Sequence, residues 1–212
     1  MGAPLPALPE AALARVRALL RDRDRRILGL AGPPGGGKST LAAALHAAFP
    51  DVTQIVPMDG FHLAGSELQR LGRADRKGAP DTFDAFGYCA LLRRVRQQAP
   101  GEVVYAPEFR REIEEPVAGA IAVLPQTRLV ITEGNYLLLD DAPWNEIRAL
   151  LDDAWYVGGD DGLRRERLIR RHEQFGRSRD AATEWVDRSD EANARVIAAS
   201  RGNARFQFDW GG

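Results

Sequence analysis

A glycine-rich segment at residues 32–40, GPPGGGKST, has the residue types and spacing that hold phosphate groups. Gly32, Gly37, Lys38 and Ser39 match glycine, four free positions, glycine, lysine, then serine or threonine, the pattern that defines a P-loop. The glycines let successive backbone N–H groups point into one concavity and bind phosphate oxygens. Lys38 is expected to bridge the β- and γ-phosphates, and Ser39 to ligate Mg²⁺. The motif therefore predicts a nucleoside triphosphate ligand.

The segments on either side of this loop agree with the motif. Residues 27–31 form an apolar run of strand length, and residues 41–48 have apolar positions at helical spacing. A helix that begins near Lys38 adds the positive end of its dipole to the site. The alternative, a glycine-rich turn before a helix, does not require the lysine and serine that follow in order. We expect ATP to be bound by Gly32, Pro33, Pro34, Gly35, Gly36, Gly37, Lys38, Ser39 and Thr40.

Two carboxylates come directly after further predicted strands, Asp59 after residues 53–58 and Glu133 after residues 128–132. The carboxyl ends of parallel strands meet at one edge of a sheet, so both should lie near the P-loop. Asp59 could accept the proton of an attacking hydroxyl or bind Mg²⁺ through water, although Asp-Gly is also a common turn pair. Glu133 is expected beside the metal with Ser39, and the alternative is a capping or surface glutamate.

An arginine-dense helix is predicted near residues 164–178. Most of its arginines are expected to be structural, because Glu166 and Glu173 offer partners at helical spacing. The helix ends near Phe175 and Gly176, which is typical of a mobile lid, here about residues 164–180, that closes cations over phosphates. The lid candidates for ATP binding are Arg170, Arg171 and Arg177. Arg171 is the one assigned a catalytic role.

The composition favours one cytoplasmic enzyme domain over residues 1–212. A formal net charge of -1 gives no case for nucleic-acid or membrane binding, and we expect a monomer or homodimer. No apolar stretch reaches the roughly 20 residues of a membrane span, and the N-terminus has no signal-like leader. Cys89 cannot form an internal disulfide and is expected in the core. Of 29 basic residues only Lys38 and Lys77 are lysine, which makes the P-loop lysine conspicuous.

Periodicity predicts strands that alternate with helices. The strands are expected at 27–31, 53–57, 102–105, 128–132, 154–157 and 205–208. The helices are expected at 10–25, after the P-loop, from Asp84 to about 98, and at 144–151, 162–175 and 180–200. Residues 60–82 and 109–119 are expected to be polar loops, and Gly211 and Gly212 to be disordered. This order predicts the α/β class: a P-loop NTPase of three α/β/α layers with a parallel sheet and a helical lid.

Four segments in order, PMDGFH, RKGAPDTFD, ITEGNYLLL and RLIRRH, give the chain a resemblance to a known family. It resembles the P-loop kinases of the uridine kinase, pantothenate kinase and phosphoribulokinase superfamily. Within it, the chain is similar to bacterial nucleoside/nucleotide kinase family proteins, also labelled fructose transport system kinases or P-loop fructokinases. The resemblance covers roughly residues 27–200. PMDGFHL together with ITEGNYLLL is specific, whereas the P-loop alone is not.

This resemblance implies which residues face the acceptor. Asp59 is similar to the superfamily's acidic residue beside the acceptor hydroxyl, and His62 to a polar pocket residue, although it could equally be a packed loop residue. The implied acceptor-binding set is Asp59, His62, Phe83, Asp84, Tyr105, Phe109, Glu133 and Asn135. Relatives often carry an acidic residue after the aromatic at 109, where this chain has Arg110. The acceptor therefore stays open.

The leading hypothesis is a kinase that transfers the γ-phosphoryl group of ATP, with Mg²⁺, to a hydroxyl of a small-molecule sugar, fructose being the named candidate. Asp59 is the expected base, and Lys38 and Arg171 stabilise charge. A nucleoside or pantothenate-like acceptor is the first alternative. The second is a nucleotide-binding module that regulates a transport system, which is disfavoured because the chain has no NKxD-type base-reading signature.

Overall fold

A computed structural model describes residues 6–22 and 24–210. The expected disorder of Gly211 and Gly212 lies outside these residues. The strands are β1 (Arg26–Ala31), β2 (Thr53–Pro57), β3 (Val104–Arg110), β4 (Glu115–Val123), β5 (Leu129–Gly134), β6 (Asp153–Gly158) and β7 (Phe206–Asp209). The α-helices are α1 (Glu10–Leu19), α2 (Lys38–Ala48), α3 (Gly65–Arg70), α4 (Ala85–Arg96), α5 (Trp144–Ala149), α6 (Asp161–Gln174), α7 (Arg179–Trp185) and α8 (Glu191–Ala199).

The main sheet has five strands in the order β2-β5-β1-β6-β7, and every neighbouring pair is parallel. Its central strands are buried on both faces, which explains their continuous apolar runs. Glu133 of β5 pairs with Leu30 of β1 on one side and Pro57 of β2 on the other. The carboxyl ends of these three strands therefore lie side by side, and the residues that follow them share one edge.

Helices cover both faces of this sheet and make three layers. Ile27 and Val130 pack with buried side chains of α4 in one apolar cluster. Their neighbours Leu28 and Ile131 point to the other face and pack with α1 and α2. This alternation follows from the two-residue period of a strand. The three-layer α/β/α arrangement with a parallel sheet is confirmed.

A buried carboxylate at the start of β6 fastens α1 to the sheet. Asp153 accepts hydrogen bonds from Arg15 Nε at 2.9 Å and Trp155 Nε1 at 2.8 Å. We expect Asp153→Ala to lower the free energy of unfolding by about 3 kcal/mol, because two donors then lose their acceptor in a buried site. Urea denaturation measures this loss. Asp51→Ala, at an exposed turn, should change stability by less than about 0.5 kcal/mol, and an equally small effect at Asp153 would contradict the assignment.

The structure differs at residues 109–119 from the charged loop that the sequence predicts. This segment forms the turn of an antiparallel β3–β4 hairpin and the first half of β4. The predicted strand at 102–105 extends to Arg110 within this hairpin and takes no part in the parallel sheet. Residues 117–120 of β4 are all exposed. The buried residues of the hairpin, among them Val104, Ala106 and Val123, lie at its other end, so the exposed segment has no alternating apolar pattern to detect.

Three predictions of helices also differ from the structure. The first helix ends at Leu19 instead of residue 25. The long helix at 180–200 is divided into α7 and α8 by a π-helical turn at Val186–Asp190. The loop at 60–82 contains α3 and several short 3₁₀ turns, more helix than the one turn expected. Each difference is at an element boundary or in a polar segment, where periodicity is a weak signal. None of the helices described here combines the length and apolar character that a bilayer-spanning segment needs.

Candidate active site

A cleft of about 1000 Å³ opens at the carboxyl edge of the sheet. It is bounded by the P-loop, the turn after β2, the β3–β4 hairpin and the lid helices α6 and α7. The predicted residues that line it are Pro34, Gly35, Gly37, Lys38, Ser39, Thr40, Asp59, His62, Phe83, Phe109, Glu133, Asn135, Arg171 and Arg177. Donor-side and acceptor-side candidates therefore share one cavity.

Two glycines of the P-loop have backbone conformations that other residues rarely adopt. Gly35 has φ of 74° and Gly37 has φ of 86°, both in the left-handed region. A Cβ atom on Gly35 would lie 2.9 Å from the carbonyl oxygen of Arg164, and one on Gly37 would lie 2.4 Å from Trp210 Nε1. The loop thus needs glycine for both conformation and space. Its curled backbone leads into the start of α2.

Lys38 lies buried across this loop. Its Nζ donates to the carbonyl oxygens of Gly32 at 2.9 Å and Pro33 at 3.0 Å, and to Asn135 Oδ1 at 2.8 Å. Burial lowers the pKa of Lys38 to about 8, against the opposing effect of the Glu133 and Asp59 carboxylates. All three hydrogen-bond acceptors are neutral, so the ammonium group has no direct ion pair within the described residues. The Pro33 carbonyl oxygen also accepts a hydrogen bond from Gly36 N, so it joins Lys38 to the loop backbone.

Ser39 and Glu133 form the second contact between the P-loop and the sheet edge. Ser39 Oγ donates to Glu133 Oε1 at 2.9 Å. Burial, followed by the nearby Asp59 carboxylate, raises the pKa of Glu133. A hydroxyl beside a buried carboxylate is a hard-oxygen pair that fits Mg²⁺. No group of three or more His, Cys, Asp or Glu side chains able to hold a metal occurs in the residues the structure describes, so a cation here would need phosphate and water oxygens as well.

Asp59 and His62, the candidates for the acceptor side, line the cleft in the turn that follows β2. The His62 Nδ1 atom lies 2.8 Å from the Asp59 carbonyl oxygen. The imidazole packs against Phe83 and Phe109, with ring centres 4.0 and 4.7 Å away. Burial lowers the pKa of His62, which favours the neutral ring. His62 is therefore both a packed loop residue and part of the cleft wall.

The lid helices supply cations to the opposite wall. Arg171 lines the cleft and has no ion pair among the residues described. The Arg177 guanidinium lies over the Trp185 ring, 4.2 Å from its centre. Buried Arg164 donates to Glu191 Oε1 at 2.6 Å and fastens α6 to α8. The lid is thus positioned by Arg164, which leaves Arg171 available to the cleft.

Known proteins are similar to this chain in sequence. The family model described as Phosphoribulokinase / Uridine kinase family matches residues 27–210. The chain belongs to this family. It is 38% identical over 194 residues to a Schizosaccharomyces pombe protein named as a putative uridine kinase. The match covers 86% of this chain and 82% of that protein. It is 37% identical over 184 residues to the uncharacterized protein YggC of Escherichia coli, covering 84% and 75% respectively.

A solved structure extends this similarity to three dimensions. The crystal structure named as a putative fructose transport system kinase from Silicibacter sp. TM1040 has a TM-score of 0.81 and 37% sequence identity. The match covers 95% of this chain and 100% of that one. Together with the family match, it identifies the chain as an ATP-dependent kinase with a small-molecule substrate.

Six predicted residues of this kinase do not line the cleft: Gly32, Pro33 and Gly36 of the P-loop, and three residues outside that loop. Arg170 is turned to solvent, with 69% of its side chain exposed, and bonds Glu166 at 3.0 Å. Asp84 caps α4 by accepting from Gly87 N at 2.8 Å. Tyr105 is 58% exposed and does not line the cleft. Helix phase, capping and strand alternation respectively point these side chains away from the cleft.

The kinase also has cleft residues that sequence reasoning missed. Arg111, in the turn of the β3–β4 hairpin, places Nη2 3.5 Å from Asp59 Oδ2. Lys77, Arg167 and Asp190 line the same cavity. The sequence of residues 109–119 predicts a loop, so it gives no indication that Arg111 lies beside Asp59. Lys77 did have a signal, since it is one of only two lysines in the chain.

ATP affinity of this kinase should fall as the pH rises. With a Lys38 pKa of about 8 in the free protein, the ammonium form is lost as the pH rises through that value. Phosphate oxygens bind the charged form, so above it binding requires proton uptake and Kd should rise about tenfold per pH unit. Calorimetric ATP titrations between about pH 7 and 9.5 measure this. Lys38→Arg stays charged throughout and should lack the dependence. A wild-type Kd that is independent of pH would contradict the assignment.

Proposed function

We propose that this kinase transfers the γ-phosphoryl group of ATP to a hydroxyl group of a sugar. One observation carries the proposal: the P-loop with Lys38 and the carboxylate of Asp59 line the same cleft, on two sides of Glu133. A phosphoryl donor and a hydroxyl acceptor can therefore occupy one cavity, which is the main requirement of phosphoryl transfer.

Each side chain has a role in this proposal. Asp59 accepts the proton of the attacking hydroxyl, while the bond from the γ-phosphorus to ADP breaks and one to the acceptor oxygen forms. Lys38, Arg171 and Arg177 stabilise charge on the phosphates. Ser39 and Glu133 hold Mg²⁺. The cation, when bound, neutralises phosphate charge. The remaining loop residues position ATP through backbone N–H groups.

The acceptor pocket is formed by His62, Phe83, Phe109 and Asn135. This mixture of aromatic and polar side chains suits a sugar, whose rings pack on aromatic faces while hydroxyls bond to polar groups. The name of the Silicibacter structure supports fructose as the first sugar to test. The name of the S. pombe relative supports a nucleoside instead, and stacking on Phe83 or Phe109 would suit a base.

A coupled assay of ADP release tests the proposal. The purified protein is given ATP and Mg²⁺ with a panel of sugars, sugar derivatives, nucleosides and pantothenate, and mass spectrometry identifies phosphorylated products. A sugar or sugar derivative that raises ADP release and gains one phosphate would support the proposal. Turnover of a nucleoside or pantothenate alone would replace the sugar by that acceptor. ADP release that no hydroxyl compound changes, but that a protein partner alters, would favour a regulatory module.

A further inference from the structure

Two cations line the acceptor end of the cleft beside Phe109. Lys77 Nζ lies 5.1 Å from the centre of the Phe109 ring, and Arg111 Cζ lies 5.9 Å from it. Both distances are within the range of cation–π contacts, which hold a cation without neutralising its charge. Phe109 thus positions two positive charges beside His62, on the acceptor side.

Lys77 and Arg111 are held by a different element from the P-loop cations. Lys38 and Arg164 donate to P-loop carbonyl oxygens, whereas Lys77 and Arg111 contact Phe109 of the β3–β4 hairpin. Arg111 also acts electrostatically on Arg171, so the two sets of positive charges adjoin. An ATP molecule held by the P-loop would use Lys38 first and leave Lys77 for another ligand.

Lys77 and Arg111 are only weakly paired within the protein. Lys77 Nζ donates to the backbone oxygen of Glu114 at 2.5 Å, a neutral acceptor. Arg111 approaches Asp59 at 3.5 Å, longer than a strong charged hydrogen bond. The exposed carboxylates of Glu112 and Glu114 line the same cleft, yet neither forms an ion pair with Lys77 or Arg111 in the part of the chain that the structure describes.

The composition provides an independent argument for Lys77. The chain uses arginine at every basic position except Lys38 and Lys77, and both of these lysines line the cleft. A lysine ammonium is a compact point charge on a flexible stem, and it binds phosphate and carboxylate oxygens without the fixed geometry of arginine. A surface position that binds no ligand would not require lysine in place of arginine. The lysine at position 77 therefore favours a ligand there.

We infer that Lys77 and Arg111 bind an anionic group on the acceptor, so that the phosphorylated sugar is an acidic derivative carrying a phosphate or carboxylate. This inference rests on the proposed function and specifies its substrate class. An acceptor anion also draws Arg111 away from Asp59, and the Asp59 carboxylate is then free to take the hydroxyl proton.

The test compares five acceptors at saturating ATP and Mg²⁺: fructose, fructose 6-phosphate, gluconate, uridine and pantothenate. We expect fructose 6-phosphate or gluconate to be turned over with a higher kcat/KM than fructose or uridine, the former identifying phosphate and the latter carboxylate as the anion. For that acceptor, Lys77→Met and Arg111→Gln should each raise KM by about tenfold to a hundredfold, because each removes a charged hydrogen bond to the anion. For Lys77→Met the KM for ATP should stay within about twofold, since the P-loop and Lys38 hold the nucleotide.

The matched control is Arg110→Gln. Arg110 is adjacent to Arg111, but it is exposed, pairs with Glu108 at 2.7 Å and does not line the cleft. Its variant should keep the wild-type KM for every acceptor. A neutral acceptor turned over best, pantothenate turned over best, or an acceptor KM unchanged in Lys77→Met and Arg111→Gln would overturn the inference while leaving the kinase reaction intact. If no sugar or sugar derivative of the wider panel raised ADP release above the acceptor-free rate, the proposed function would fall, and the inference with it.

Discussion

Replacement of Asp59 by asparagine is expected to lower kcat by about 10² to 10⁴, because the variant has no carboxylate to accept the proton of the attacking hydroxyl. Asp59 lies in the turn after β2 and contacts Arg111 and His62, while the P-loop is held by Lys38 and Glu133. The KM for ATP should therefore change little. Coupled ADP release with the acceptor found by screening measures both parameters.

Asparagine preserves the volume of the side chain and one oxygen near Arg111, so the variant separates loss of charge from loss of packing. Asp51→Asn is the matched control, because Asp51 is exposed in the turn at the other end of the same strand, β2. Its kcat should equal that of the wild type. Thermal unfolding checks that both variants fold. A kcat of Asp59→Asn within a few-fold of wild type would show that another group takes the proton.

The parallel sheet could be predicted because its central strands are buried on both faces. β1 and β5 must be continuously apolar, and the polar residues that end them are conspicuous for that reason. Lys38 and Glu133 each follow or end such a strand, and Asp59 follows β2, the half-buried edge strand beside β5, so their convergence follows from the sheet topology. The donor side of the candidate site, and Asp59 on its acceptor side, were therefore visible in the sequence.

The acceptor side depends on elements with no such signal. The β3–β4 hairpin is held by strand pairing and leaves residues 117–120 exposed, so its sequence resembles a charged loop. Arg111 reaches Asp59 only because the hairpin folds back over the turn after β2. Tyr105, in β3 of the same hairpin, is 58% exposed and outside the cleft. Which side chains of the hairpin enter the cleft cannot be read without its register.

The lid shows the same limitation within one helix. Successive residues of an α-helix differ by about 100° around the axis, so two adjacent arginines cannot face one site. A motif such as RLIRRH specifies the spacing but not the rotation of the helix against the cleft. In the structure, buried Leu168 and Arg164 face the protein and determine that rotation. Arg171 then points to the cleft and Arg170 to solvent.

Arg171→Gln is accordingly expected to lower kcat by about 10² to 10³, the usual cost of removing one donor that stabilises transition-state charge. Its guanidinium lines the cleft without an ion pair among the described residues, and phosphate oxygens are the anions that the cleft is expected to receive. Glutamine keeps part of the side-chain length and its polarity. Pre-steady-state measurement of the transfer step, at saturating ATP and acceptor, distinguishes a slower chemical step from weaker binding.

Arg170→Gln is the matched comparison, because it removes the same charge one position away on the same helix. Among the residues that the structure describes, Arg170 bonds only Glu166, on the solvent face. Exposed ion pairs contribute about 0–1 kcal/mol, so its variant should keep wild-type kcat. If both variants lost activity equally, the lid would respond to its total charge and not to one positioned guanidinium. If only Arg170→Gln lost activity, the lid would have to rotate on closing, since about 100° separates the two side chains. The predicted difference between two neighbouring arginines thus tests the orientation of α6 during the reaction itself.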